Sequence, residues 1–144
     1  MIVVSCRHGH KEPGRDRSLT VRGVAAAKEA GRWLREEAGL VADPVISSHW
    51  KRCQETAALV APGRPVRVLQ GVPTVWDRWE ALVGSLRAEV GDGAVLLVGS
   101  HPTQDMLSAR FDLGLKRTNY CAVIVLSDAS GDWRVQSHHP GHPK

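Results

Sequence analysis

The chain has 144 residues, 42% of them hydrophobic and 24% charged, which suits one folded domain with a full core and excludes a disordered tail protein. No apolar run is long enough for a membrane span. The net charge of +4 is scattered over 19 basic residues without a basic block, so neither nucleic acid nor a membrane surface is expected as partner.

Three cysteines, Cys6, Cys53 and Cys121, are odd in number and far apart, which fits neither a disulfide framework nor a zinc spacing. They read as reduced, mostly buried thiols. The first residues lack the basic and long apolar regions of a secretory leader, and the cytoplasm is the expected compartment.

Met1-Ile2-Val3-Val4 opens the chain as a short β-branched run of the kind that forms a buried strand, so Arg7 and His8 leave the sheet at its carboxyl end. Open α/β sheets bind ligands there. A polar loop, residues 10–18, follows, and Thr20 is the expected N-cap of a helix. Val24, Ala27, Gly31, Leu34 and Ala38 fall on one face of that helix, which Gly39 ends. Ala27 and Gly31 should let it approach the sheet closely.

Residues 44–48 read as the second strand and 49–61 as the helix after it, stopped by Pro62-Gly63. Arg52 then lies in the first helical turn, where unpaired N–H groups and the helix dipole favour an anion. Residues 66–69 predict a third strand, and residues 76–90 a helix with Trp79, Val83, Leu86 and Val90 inward. Ala94-Val95-Leu96-Leu97-Val98-Gly99 predicts another buried strand that delivers His101 to the same edge. Thr103 is the expected cap of the next helix, with Met106, Leu107 and Phe111 inward. Residues 120–126 and 133–135 predict an edge hairpin, and residues 137–144 a frayed tail. Strands alternating with helices imply a three-layer α/β/α sandwich around a mostly parallel sheet in one domain, residues 1–144.

Taken alone, Arg7-His8-Gly9 is compatible with a surface turn. Three strand ends, however, bring Arg7 with His8, Arg52, and His101 to one edge, a set of groups for which a core has no use. A phosphoryl group does. Two arginines and a histidine can hold its oxygens while a second histidine attacks phosphorus, so no metal or other cofactor is expected.

The blocks Arg7-His8-Gly9, Leu19-Thr20-Val21-Arg22-Gly23 with Ala27 and Trp33-Leu34, Ser48-His49-Trp50-Lys51-Arg52 with Thr56-Ala57, and Val98-Gly99-Ser100-His101-Pro102 resemble the histidine phosphatase superfamily, which includes phosphoglycerate mutases. The short length is most similar to the small bacterial phosphohistidine phosphatases. The resemblance implies a phosphoglycerate mutase-like fold, His8 as the phosphorylated nucleophile, and Arg7, Arg52 and His101 around the phosphoryl group. His49, Cys53 and His10 depart from the residues common in the family.

Asp77 and Glu80 occupy the segment where larger members carry a general acid, and both also suit a helix start, where acidic residues complement the dipole. Trp50, two residues before Arg52, is the tryptophan expected to touch substrate. Trp76 and Trp79 suit either the pocket or the core. The expected activity is that of a metal-independent phosphatase acting on a phosphohistidine protein or a small phosphomonoester. The alternatives are a non-catalytic anion-binding module and, among enzymes, a phosphomutase.

Overall fold

The computed structural model describes residues 1–115 and 119–142. Ten elements follow in order: β1 (Ile2–Arg7), α1 (Val21–Glu36), β2 (Ala42–Ser48), α2 (Lys51–Val60), β3 (Val66–Leu69), α3 (Trp76–Val90), β4 (Ala94–Gly99), α4 (His101–Arg110), β5 (Val123–Ser127) and β6 (Arg134–His139). The strands form one sheet in the order β3-β2-β4-β1-β5-β6. β1 to β4 run parallel, β5 is antiparallel to β1, and β6 is antiparallel to β5.

Side chains alternate across the sheet and build a core on each face. Val4, Cys6, Val45, Leu96 and Val98 pack with Ala27, Leu34, Cys53 and Ala57 of α1 and α2. Val3, Ile46, Val95 and Leu97 pack on the opposite face with Trp79, Val83 and Leu86 of α3 and Leu107 of α4. Burial on both faces explains why β4 is apolar throughout, with all six residues buried. The result is a three-layer α/β/α sandwich. No helix among the described residues is long and apolar enough to cross a membrane.

Thr20 caps α1 as predicted, its hydroxyl accepting from the Gly23 N–H at 3.1 Å. The buried stripe of α1 is wider than the sequence periodicity suggested, adding Ala26, Ala30 and Trp33. α1 lies in the angle between the sheet and α2, so two adjacent rows are covered. Gly31 serves the helix contact, since a Cβ there would come within 2.6 Å of the Val60 carbonyl oxygen.

Three expectations are corrected. Thr103 is no cap: α4 starts at His101 with Ser100 as N-cap, and the Thr103 hydroxyl is buried, donating to the Val72 carbonyl at 3.3 Å. β5 starts at Val123 and not at Tyr120, because Cys121 takes a left-handed backbone with φ 58° that breaks the extended run. Residues 137–139 are not frayed: they belong to β6, and His142 bridges back to Tyr120, its N–H donating to the Tyr120 carbonyl at 2.9 Å. The pairing partner for that tail is β5, which sequence periodicity could not supply. Residues 143 and 144 of the predicted tail lie outside the described residues.

The start of α1 butts against the loop after β1. A Cβ on Gly23 would lie 2.1 Å from the His10 carbonyl oxygen, and one on Gly9 would lie 2.9 Å from that of Gly23. Gly23→Ala should therefore lower the melting temperature by several degrees, an overpacking cost of about 1–3 kcal/mol that outweighs the gain in helix propensity. Thermal denaturation checks this, and an unchanged or raised melting temperature would mean that the helix can back away from the loop.

Candidate active site

β1 holds its last residues between two neighbours. The Arg7 N–H donates to the Ala122 carbonyl and the His8 N–H to that of Gly99, each at 3.0 Å, while the Cys121 N–H donates to the His8 carbonyl at 3.3 Å. Arg7 and His8 are consequently 4% and 5% exposed. Such burial of an arginine and a histidine at a sheet edge is costly unless the site uses them.

His8 Nδ1 stands 2.8 Å from the Gly9 carbonyl oxygen. A carbonyl only accepts, so Nδ1 carries the proton and Nε2 bears the lone pair. Burial pushes the imidazole pKa down to about 3; the Gly9 hydrogen bond opposes this, and the charges of Arg7, Arg52 and His101 add to the fall. At neutral pH the ring is uncharged and its Nε2 lone pair is free of a proton, beside the cations Arg7 and Arg52.

Arg52 comes from the first turn of α2 and is tied to the same loop through Thr56. The Gly9 N–H donates to Thr56 Oγ1 at 2.9 Å, and that hydroxyl donates to the Arg52 carbonyl at 2.7 Å. Arg52 Nη1 donates to the Arg15 carbonyl at 3.2 Å, and Cζ lies 4.8 Å from the Trp50 ring centroid. Its Nε is buried without a hydrogen-bond partner among the described residues. An orphaned guanidinium donor at this position suits an anion. Arg7 lies 4.3 Å from the ring centroid of Tyr120. Burial lowers its pKa, and Tyr120 and Asp105 counter that effect.

His101 stands apart from this trio in one respect. It is near enough to help depress the His8 pKa, yet its side chain is 56% exposed and its Nδ1 faces Asp105 Oδ2 at 3.4 Å, one turn along α4. Asp77 and Glu80 are both exposed. Glu80 lines a groove with Trp76, Arg87, Arg110 and Trp133, a different set of residues from those around His8. Of the tryptophans, Trp79 is fully buried in the core, whereas Trp76 is half-buried, packs on Phe111 at 5.5 Å and lines that groove. Trp50 is half-buried, stacks on His49 at 4.5 Å and lies beneath Arg52.

The three cysteines flank these groups, Cys6 before Arg7, Cys53 after Arg52 and Cys121 after Tyr120, and all are free, buried and part of one core cluster. Burial raises the thiol of Cys53 to about 11, that of Cys121 to about 12 and that of Cys6 well above its usual value. They are protonated packing groups, as expected from the sequence.

Sequence reasoning gave no site role to three contributors, Thr56, which it read only as part of a matching block, Asp105 and Tyr120. Thr56 had a signal, since its position four residues after Arg52 faces the same turn. Asp105 had one too, four residues after His101. Tyr120 had none, because only the pairing of β5 with β1 brings it there.

The buried neutral His8 makes a pH-dependent claim. Its folded pKa lies below the unfolded value of roughly 6.5, so the unfolded chain binds the extra proton between that value and about 3. The stability owed to His8 is complete above pH ~6.5 and is lost as pH falls toward 3. An imidazole NMR titration should place the His8 midpoint near pH 3, and denaturation between pH 7 and 4 should cost the native chain more than His8→Asn.

The model for the histidine phosphatase superfamily (branch 1) matches residues 4–73, a span that contains Arg7, His8 and Arg52. No curated protein matches the chain. Among solved structures, the protein histidine phosphatase SixA complexed with tungstate superposes with a TM-score of 0.76 at 22% identity, over 97% of each chain. The phosphohistidine phosphatase SixA described as putative from Agrobacterium tumefaciens gives 0.74 at 21% identity, over 96% of this chain and 97% of that one. Its namesake from Nakamurella multipartitia gives 0.65 at 26% identity, over 99% and 95%. The family signature thus falls on the segment that carries Arg7, His8 and Arg52, and the fold of these solved structures continues through the rest of the chain.

Proposed function

We propose that the chain is a cytoplasmic, metal-independent phosphatase that works through a phosphohistidine on His8, with phosphohistidine of a partner protein as its preferred substrate class. The observation that carries the reading is the neutral His8, its proton held on Nδ1 by Gly9 and its Nε2 lone pair beside Arg7 and Arg52. The Nε2 lone pair attacks phosphorus while the bond to the leaving group breaks. His8 keeps its Nδ1 proton and becomes a phosphorylated imidazolium, whose positive charge the Gly9 carbonyl and the attached phosphoryl oxygens offset. Arg7 and Arg52 balance the negative charge on those oxygens. Water then attacks phosphorus, the N–P bond returns its electron pair to Nε2, and dihydrogen phosphate leaves with His8 neutral again.

The substrate preference rests on the leaving group. An alkoxide must receive a proton as it departs, whereas the imidazole of a phosphohistidine can take its proton from solvent on the far nitrogen beforehand. Asp77 and Glu80 are both exposed, and Glu80 lines a groove with Trp76, Arg87, Arg110 and Trp133. Asp105, a carboxylate that acts on Arg7, is engaged with His101 at 3.4 Å. Such a site suits phosphoramidates and aryl phosphates over alkyl phosphates. His101 at the exposed rim is assigned a donor role toward the phosphoryl oxygens.

His8→Ala should abolish turnover and acid-labile phosphate on the protein while leaving phosphate binding within a few-fold of the native value, because both arginines remain. Activity should survive chelator and be suppressed by vanadate. Rates on a phosphohistidine peptide should exceed those on glycerol phosphate by about 10²-fold or more, the usual worth of a general acid. Retained turnover in His8→Ala, or loss in chelator restored by a divalent cation, would overturn the mechanism. Equal rates on the two substrates would overturn the substrate class alone.

A further inference from the structure

The segment entering β5 matches no motif, yet it is pinned to the site from two sides. The Cys121 N–H donates to the His8 carbonyl at 3.3 Å, and the Tyr120 carbonyl accepts from the His142 N–H at 2.9 Å. Gly141, at φ 75°, approaches so closely that a Cβ would lie 2.3 Å from the Tyr120 oxygen and 2.6 Å from the Ala122 nitrogen. Between these ties Cys121 holds a left-handed φ of 58°, which is strained for a residue with a Cβ. The ring of Tyr120 meets three groups of the site. It lies 4.3 Å from Arg7 Cζ, 5.9 Å from the His8 ring at 50°, and 5.2 Å edge-on from the His10 ring. It is the only tyrosine of the chain, so no other phenol duplicates it.

We propose that Tyr120 is a positioning residue for the phosphoryl site, its aromatic ring backing the Arg7 guanidinium and walling the flank of His8 while its hydroxyl bonds to the same guanidinium, so that phosphate affinity depends on this side chain. The proposal rests on the reading of Arg7 as a phosphoryl ligand. A guanidinium lying against a π-face is attracted to it, and a hydrogen bond to the phenol on the same ring holds it there. The face also keeps water off the cation from behind, which strengthens the attraction of Arg7 for an anion in front. Trp50 stands in the same relation to Arg52, at 4.8 Å. Both proposed phosphoryl-binding arginines are thus backed by aromatic rings, Trp50 coming from the chain just before Arg52 and Tyr120 from a segment remote from Arg7. This arrangement gives Trp50 a role behind the arginine.

The test is direct titration of inorganic phosphate, by calorimetry, into Tyr120→Phe, Tyr120→Trp and Tyr120→Leu, with thermal denaturation as the control for folding. Phe and Trp keep a π-face but lose the phenol and should weaken phosphate binding by about threefold, whereas Leu, which loses both, should weaken it roughly tenfold. On an aryl phosphate the Leu variant should raise KM by a similar factor and lower kcat less. A Leu variant that binds within twofold of native, or a Phe variant as impaired as Leu, would overturn the proposal. If Tyr120→Leu fails to fold, Tyr120→Met refills the space without a ring and is held to the same criteria. Because phosphate binding needs no turnover, the outcome is independent of whether His8 is the nucleophile.

Discussion

A guanidinium and a neutral imidazole sit side by side, almost wholly out of water, at the end of one strand, and the surrounding structure is what makes that juxtaposition affordable. Arg7 brings a charge that cannot be discharged and His8 a ring that its surroundings keep uncharged, with a pKa near 3. Like charges on both would repel at short range, so the drier the site becomes, the more firmly His8 is held as a base. Its neutrality and its burial have the same cause.

The parallel sheet makes this possible. β1 is a central strand, flanked by β4 and β5, so its backbone donors and acceptors are satisfied on both edges up to His8. The side chains can then be committed to the site without exposing the ladder. Ser5, two residues earlier and on the face toward α4, accepts from Gln104 Nε2 at 2.8 Å, a buried polar contact that fixes α4 against β1. Thr56 does the equivalent for α2, joining the loop after β1 to the carbonyl of Arg52. The arginines of the site are therefore set by buried hydrogen bonds between elements far apart in the chain. A loss at Thr56 would be felt by Gly9 and Arg52 together.

The two acidic residues of the α3 segment illustrate how a helix start can mimic chemistry. Asp77 lies in the first turn of α3, where a carboxylate complements the backbone dipole, and both it and Glu80 are open to solvent. Asp105 was not singled out from the sequence, yet it faces His101 and acts on Arg7. A carboxylate that acts on Arg7 thus comes from α4, after the second histidine, and not from the segment that precedes β4.

Read by itself, the sequence determined the elements and the edge of the sheet where chemistry would gather. Apolar β-branched runs flanked by glycine and polar loops define β1 and β4, and parallel strands joined by helices place their carboxyl ends together, which is why Arg7, His8 and Arg52 were legible as a group. Local signals also sufficed for the Thr20 cap and for the reduced cysteines. Tertiary structure alone decided the proton position on His8, the exposed setting of His101, the ordering of residues 137–139 in β6, and the arrival of Tyr120 over Arg7. Each of these depends on a contact between residues distant in the chain or on the exclusion of water. Periodicity and spacing report the company a residue keeps along the chain; a pKa, a ring stacked on a guanidinium, or a strand pairing at the sheet edge depends on the company it keeps in space.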